Sequence, residues 1–319
     1  SKYEKCNICF LLGKLLTINL LSGGTFMQLR TDLALEAREF VDEKEEGVVV
    51  KEEEQDGIKI SEIKILNQKA AKKMNKPIGT YITAELAPLT DNLRDGDSKA
   101  EYIGKLIEPL LPKEGTILIA GIGNETITPD ALGPKSADNI LATRHITGEL
   151  KRSLGLSGLR SVAVLAPGVL GQTGIETGEL IKSVVESIKP SAVIAIDALA
   201  SRSLSRLGCT IQISDAGISP GSGVGNHRLS LNKETMGIPV IGIGVPTVVD
   251  AQTLALELIP EAKLSYQQKG LVSPRGEQMI VTPREIDLLI ERASRLVGMS
   301  LNCALHKGLS VEDFCLLLA

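Results

Sequence analysis

The sequence predicts an α/β fold: a mostly parallel or mixed sheet with helices on both faces. Runs of continuous apolar residues, above all Ile117-Leu118-Ile119-Ala120 and Val193-Ile194-Ala195-Ile196, read as strands buried on both sides. Segments with helical apolar spacing alternate with these runs, as in strand–helix–strand units. A length of 319 residues suffices for one large α/β domain or two small ones.

Composition narrows the function classes. Hydrophobic residues at 43% and charged residues at 23% are ordinary for a globular protein. A formal charge of -4 argues against a nucleic-acid binder working through a basic face. With 3% aromatics and no tryptophan, stacking platforms for single strands are not expected. Three histidines, His145, His227 and His306, leave little room for a multi-histidine metal site. Five cysteines, scattered apart from Cys6 and Cys9, read as reduced thiols of a cytosolic protein.

Residues 1–26 contain apolar stretches resembling a secretory signal, but Lys14 interrupts them and no convincing cleavage site follows. Gly23-Gly24-Thr25-Phe26-Met27 is what a translated ribosome-binding site and start codon would encode, so Met27 is expected to be the natural first residue. Residues 29–40 read as a short amphipathic helix, and residues 42–56 as a densely charged stretch. Ile58, Ile60, Ile63 and Ile65 alternate with one slip, as in a half-buried strand, and residues 81–84 form another. Together they predict a small antiparallel sheet ahead of the main body.

In the body, helices are expected over residues 100–111, 136–152, 177–188, 199–207 and 248–258. Strands are expected over 116–120, 161–166, 192–196, 210–213 and 239–244. Residues 283–297 read as a final helix, with Thr282 and Glu285 as its capping box. No internal repeat or transmembrane span is evident.

The candidate chemistry lies at strand ends. Asp130, in Thr128-Pro129-Asp130, follows the strand at 116–120 and its glycine break Gly121-Ile122-Gly123-Asn124. Asp197 ends the strand at 192–196. Each has a structural alternative as a helix-capping charge. As a pair at the carboxyl ends of two apolar strands, they can share a proton, one ionised to activate water and one neutral to donate to a carbonyl. The Gly-x-Gly-Asn lacks the third glycine of a dinucleotide fingerprint. The loop Gly221-Ser222-Gly223-Val224-Gly225 lacks a P-loop lysine and reads as a loop beside the site. Asp250 reads as a cap together with Thr247, Asp215 as a turn residue, and Asp138 and His145 as surface or structural groups with metal ligation a minor alternative. Lys135 and Arg202, with Ser222 and Gly223, are candidate substrate contacts.

The strings LRTDLALEA, TPDALGPK, PGVLGQTGIET, AIDALASRS, ISDAGISPGSGVGN and GIPVIGIGVPTVVDA, in this order, resemble the spore germination protease family from about Met27 to the C-terminal helix. That resemblance implies an aspartic-type endopeptidase that starts degradation of small acid-soluble, DNA-protecting spore proteins during germination. Its essential acids carry over to Asp130 and Asp197. It implies a three-layer α/β/α sandwich similar to the hydrogenase maturation proteases, relatives that use equivalent acids around nickel. A metal-assisted peptidase using the same acids and His145 is therefore the alternative within enzymes. A phosphate- or nucleotide-binding module is the alternative outside them. No cofactor, direct nucleic-acid contact or membrane association is expected. The resemblance also implies a homotetramer of the forespore or spore core, made as a zymogen that trims its own N-terminus. A preference for acidic–apolar–alanine sites puts that cut between Asp32 and Leu33. The organisation expected is a leader at 1–26, a propeptide at 27–32 and a peptidase domain at 33–319.

Overall fold

The computed structural model describes residues 31–42, 45–91, 96–146, 148, 159–219, 229–258 and 279–318. The leader, Met27 to Arg30, and the glycine loop with Ser222 and Gly223 lie outside them. After a short helix α1 (Ala34–Arg38) come β1 (Val48–Gln55), β2 (Ile58–Ile65), α2 (Gln68–Met74) and β3 (Gly79–Glu85). Next follow α3 (Gly96–Ile107), β4 (Ile117–Gly121), α4 (Leu132–Asp138), β5 (Val162–Leu165), α5 (Leu170–Thr173) and α6 (Thr177–Ile188). The chain continues through β6 (Ala192–Ser201), β7 (Thr210–Ser214), α7 (Lys233–Met236), β8 (Val240–Asp250) and α8 (Ala251–Leu258). It closes with β9 (Ile280–Val281), α9 (Ile286–Leu305) and α10 (Val311–Leu318).

Among the described residues, nine strands join one sheet in the order β1-β2-β3-β7-β8-β6-β4-β5, with β9 paired to β8. The half from β8 through β6 and β4 to β5 is parallel, while β1, β2, β3 and β7 are antiparallel and join it through β8. The antiparallel strands expected ahead of the body are present, and β3 pairs with β7 so that they extend the main sheet.

Side-chain alternation divides the core into two layers. One sheet face sends Ile117, Ile119, Ile194, Ile196, Ile211 and Ile243 against α3, α9 and α10, where Ile103, Leu289 and Phe314 meet them. The opposite face sends Leu118, Ala120, Val193, Ala195 and Val240 against Ile181 and Val185 of α6 and Met236 of α7. Further along that face, Ile63, Ile65 and Tyr81 pack on α1 and α2. The result is the α/β/α sandwich that the alternation predicts. Each fully buried isoleucine contributes about 1.5–3 kcal/mol of transfer free energy.

Several boundaries differ from expectation. Of the helix expected over 136–152, the first part belongs to α4, which begins at Leu132 and stops at Asp138. Residues 139–146 are not helical, Gly148 is, and residues 147 and 149–152 lie outside the described residues. Gly133 and Pro134 lie in the first turn of α4, where proline's missing N–H has no intrahelical acceptor to lose. The helix expected over 199–207 is absent: β6 runs to Ser201, and only a 3-10 turn forms over Leu204–Arg206. The last body helix starts at Ala251, because β8 continues to Asp250. The charged stretch at 42–56 contains β1, an edge strand exposed on both faces. The Thr282–Glu285 capping box does not form; Thr282 Oγ1 lies 3.3 Å from the Pro283 carbonyl, and Glu285 gives no side-chain cap.

Candidate active site

The turn carrying Asp130 is defined by close backbone approach. Gly123 has φ +125°, and a Cβ there would stand 1.9 Å from the Asp130 carbonyl oxygen. A Cβ at Gly133 would stand 2.2 Å from Ile122 O and 2.5 Å from Ile196 O. The glycines of GIGN and ALGP therefore let the turn fold onto the end of β4 and against β6. The Ile122 N–H donates to Ile196 O at 2.8 Å, prolonging the β4–β6 pairing by one residue. From β8, Thr247 Oγ1 donates to the Pro129 carbonyl at 2.8 Å.

Asp130 is half-buried. Its Oδ2 accepts from the Asn124 N–H at 2.7 Å. Asn124 Oδ1 in turn accepts from Thr126 N at 3.0 Å, Thr126 Oγ1 at 2.7 Å and Gln172 Nε2 at 2.7 Å. A polar chain from α5 through Asn124 thus orients the carboxylate.

Asp197 lies within β6 and is 4% exposed, with Oδ1 accepting from the Ala198 N–H at 2.9 Å. β4 ends opposite Ile196 whereas β6 continues, so Asp197 is the first β6 residue past the end of its neighbour. On the other side it pairs with Gly244 of β8, which presents no side chain. The Asp130 turn follows the carboxyl end of β4, whereas Asp197, expected to end its strand, lies inside β6 just past the end of β4, with the Thr128–Asp130 turn reaching β6 and β8.

The other candidates separate. Lys135 is half-buried on α4, five residues beyond Asp130. Arg202 is engaged by α1: its guanidinium pairs with Glu39 and lies 4.9 Å from the Phe40 ring centroid. Asp250 Oδ1 caps α8 by accepting from Thr253 N at 2.9 Å, without Thr247. Asp215 Oδ1 accepts from Thr80 N at 2.6 Å where β3 meets β7, a turn role. Asp138 and His145 are exposed, and α4 ends between them, so they do not share a helical face. Among the described residues, no group of three or more His, Cys, Asp and Glu side chains is placed to hold a metal ion.

The N-terminal segment lies along the same sheet face. Asp32 N donates to Ala200 O at 2.8 Å, and its Oδ2 accepts from Ala200 N at 2.9 Å. Leu33 and Ala34 are fully buried. Glu36, also fully buried, accepts from Arg202 N at 2.6 Å and Ser203 N at 2.9 Å, with Arg206 Nη1 at 3.5 Å. Lys76 Nζ donates to the carbonyls of Thr31 at 3.1 Å and Asp32 at 3.0 Å. Burial pushes this ammonium below the ordinary lysine range, against the opposing pull of Asp32 and Glu36.

Sequence reasoning missed Gln172, Thr247, Lys76 and Gln212. The first two stand inside strings already singled out, but only the fold shows that they touch the turn and loop of Asp130.

Residues 28–261 match the germination protease family. The chain is 45% identical over 313 residues to the germination protease of Caldanaerobacter subterraneus subsp. tengcongensis, covering 89% of this chain and 96% of that protein. The germination protease of Clostridium perfringens is 43% identical over 319 residues, with 89% and 97% covered. That of Halalkalibacterium halodurans is 35% identical over 360 residues, with 89% and 95% covered. No helix among the described residues is long and apolar enough to cross a membrane. Matched along most of its length by these proteases, the chain belongs to the germination protease family and is a peptidase.

Proposed function

We propose that the chain is an aspartic-type endopeptidase in which Asp130 and Asp197 activate water for peptide hydrolysis. The supporting observation is their placement: one carboxylate held by a backbone N–H on a turn that contacts β6, the other buried in β6 just past the end of β4. In this reading the two carboxylates hold one proton between them. The ionised carboxylate takes a proton from water, and the protonated one donates to the substrate carbonyl oxygen. Lys135, Arg202, Ser222 and Gly223 are assigned to substrate contact. For Arg202 that role requires its pairing with Glu39 to give way.

The substrates are small acid-soluble spore proteins, degraded in the spore core during germination, and the enzyme assembles as a homotetramer. It is made as a zymogen with a propeptide at 27–32, ahead of a peptidase domain at 33–319, and cuts its own Asp32–Leu33 bond. No cofactor is required in this reading.

The test is cleavage of an acidic–apolar–Ala peptide by the wild type and by the Asp130→Asn and Asp197→Asn variants, with and without chelator. Chelator-insensitive cleavage that falls by about 10³-fold or more in both folded variants supports the aspartate pair. Loss to chelator with rescue by a divalent ion transfers the mechanism to a metal. Activity retained in either variant removes that aspartate from the site.

A further inference from the structure

Asn124 offers two separate groups beside Asp130, and only one of them serves the acid. Its backbone N–H donates to Asp130 Oδ2 at 2.7 Å, a bond that belongs to the main chain. The side-chain amide has other partners. Thr126 N, Thr126 Oγ1 and Gln172 Nε2 all donate to its Oδ1, at 3.0, 2.7 and 2.7 Å. A backbone N–H can only donate, so the atom facing it is the carbonyl oxygen, and Nδ2 forms the opposite arm of the amide.

A local turn of this kind closes with the Thr126 N–H alone. The Thr126 hydroxyl and the Gln172 amide, 48 residues away in sequence, are additional and fix the amide plane. Gln172 is itself held, its Oε1 accepting from the Val169 N–H at 3.3 Å. Gly168, at φ +72°, keeps clear the place where a Cβ would stand 3.0 Å from that oxygen. Three donors on one carbonyl oxygen also polarise the amide, which makes its own N–H groups stronger donors.

Those N–H groups are unused. Among the described residues nothing accepts from Asn124 Nδ2, and Asn124 is only half-buried. Four covalent bonds part Nδ2 from its own backbone N, so the two atoms lie within about 5 Å. The Asp130 carboxylate sits 2.7 Å from that same N, which puts acid and amide within reach of one bound peptide. Ile127 on the Asp130 turn, with Leu170 and Ile175 on the segment that carries Gln172, are exposed apolar side chains. A peptide laid over them would strip water from the amide, and a donor acts most strongly on developing charge where water is excluded.

We propose that Asn124 is a further catalytic residue of this peptidase, its Nδ2 donating to the scissile carbonyl oxygen as water adds. The inference rests on the peptidase reading of Asp130 and Asp197. The water oxygen bonds to the carbonyl carbon and its proton passes to the ionised carboxylate. The C=O electron pair moves onto the oxygen, which takes the proton of the second carboxylate and is steadied by Nδ2. Asn124 itself transfers no proton.

The test sets Asn124→Ala and Asn124→Ser against wild type. Both keep the backbone N–H that holds Asp130, and serine also keeps an oxygen for the Thr126 N–H. In each, kcat on the acidic–apolar–Ala peptide should fall about 10²-fold, with KM within twofold of wild type. Two uncleaved analogues separate donation from mere structure. A difluoroketone peptide, hydrated to a gem-diol like the tetrahedral state, should bind at least tenfold more weakly by calorimetry. A reduced-amide peptide, which has no carbonyl oxygen, should bind as it does to wild type. Equal weakening of both analogues, or wild-type kcat in either variant, overturns the donor. Should neither variant fold, the Asn124 side-chain amide resonances of the wild type replace them. They should move downfield with the difluoroketone and not with the reduced amide, and no such difference overturns the donor equally. Selective loss of difluoroketone binding, with cleavage retained in Asp130→Asn and Asp197→Asn, defeats the aspartate reading alone. Cleavage that needs both aspartates and is indifferent to Asn124 defeats the donor alone.

Discussion

Thr247 Oγ1 donates to the Pro129 carbonyl at 2.8 Å, joining β8 to the turn that carries Asp130 across 118 residues of sequence. Thr247→Val keeps the side-chain shape and removes the donor. Loss of a buried partner costs about 1–3 kcal/mol. Urea denaturation should show a loss in that range, and peptide cleavage should fall at least tenfold as the turn loosens. Cleavage at the wild-type rate would show that the tether does not position Asp130.

Gly133 is a second point at which the turn is fixed. Its missing Cβ leaves room for Ile122 N and O and Ile196 O, all within 2.5 Å of where that atom would stand. Gly133→Ala should therefore destabilise by about 3 kcal/mol as strand ends are forced apart. Gly171 of α5, with nothing within 4 Å of an added Cβ and no positive φ, is the matched control. There alanine should be neutral or stabilise by up to about 1 kcal/mol. Equal denaturation midpoints for the two variants would contradict this account.

Glu36 anchors the N-terminal segment to the Arg202–Ser203 backbone and to Arg206. Glu36→Gln turns one acceptor into a donor facing backbone N–H groups and removes the charge opposite Arg206. A loss of about 1–3 kcal/mol is expected, with faster protease nicking before α1. Unchanged nicking kinetics would mean that the segment is held without this carboxylate.

Lys76 imposes a pH dependence whose sign follows from its burial. Its folded pKa is lowered, so between that value and the unfolded value of about 10.4 the unfolded chain binds more protons. Its contribution to stability therefore rises with pH through that window and is flat below the folded pKa. Lys76→Met lacks this term. The stability difference, wild type minus variant, should grow between pH 7 and pH 10 in urea titrations, and a constant difference would refute the assignment.

Much of the fold is legible because both faces of the sheet are buried, which makes its strands continuous apolar runs. Two misread helices share one cause. Ala198 to Ser201 and Val248 to Asp250 read as parts of the helices that follow them, yet Ala198–Ser201 pairs with Val245–Val249 and prolongs both strands, and neither sequence names the other as partner. β1 escaped detection because both its faces are exposed, so alternation between apolar and polar residues is absent. For the candidate site, Asp130 and Asp197 stand out because each follows an apolar run, although Asp197 lies inside its strand. Gln212 does not, because Thr-Ile-Gln-Ile-Ser reads as a strand whatever its glutamine binds.

The position of β8 at the seam between the two halves of the sheet bears on how the enzyme is made. A nascent chain that has emerged as far as Ser201 already contains both aspartates, but not the strand that separates β6 from β7 or the hydroxyl that ties down the Asp130 turn. At ribosomal speeds of about 5–20 residues per second, the 50 residues from Asp197 to Thr247 correspond to roughly 2.5–10 s of synthesis. Throughout that interval the two carboxylates lack their common support. Late arrival of β8 therefore leaves the Asp130 turn untied until residue 247 has been made.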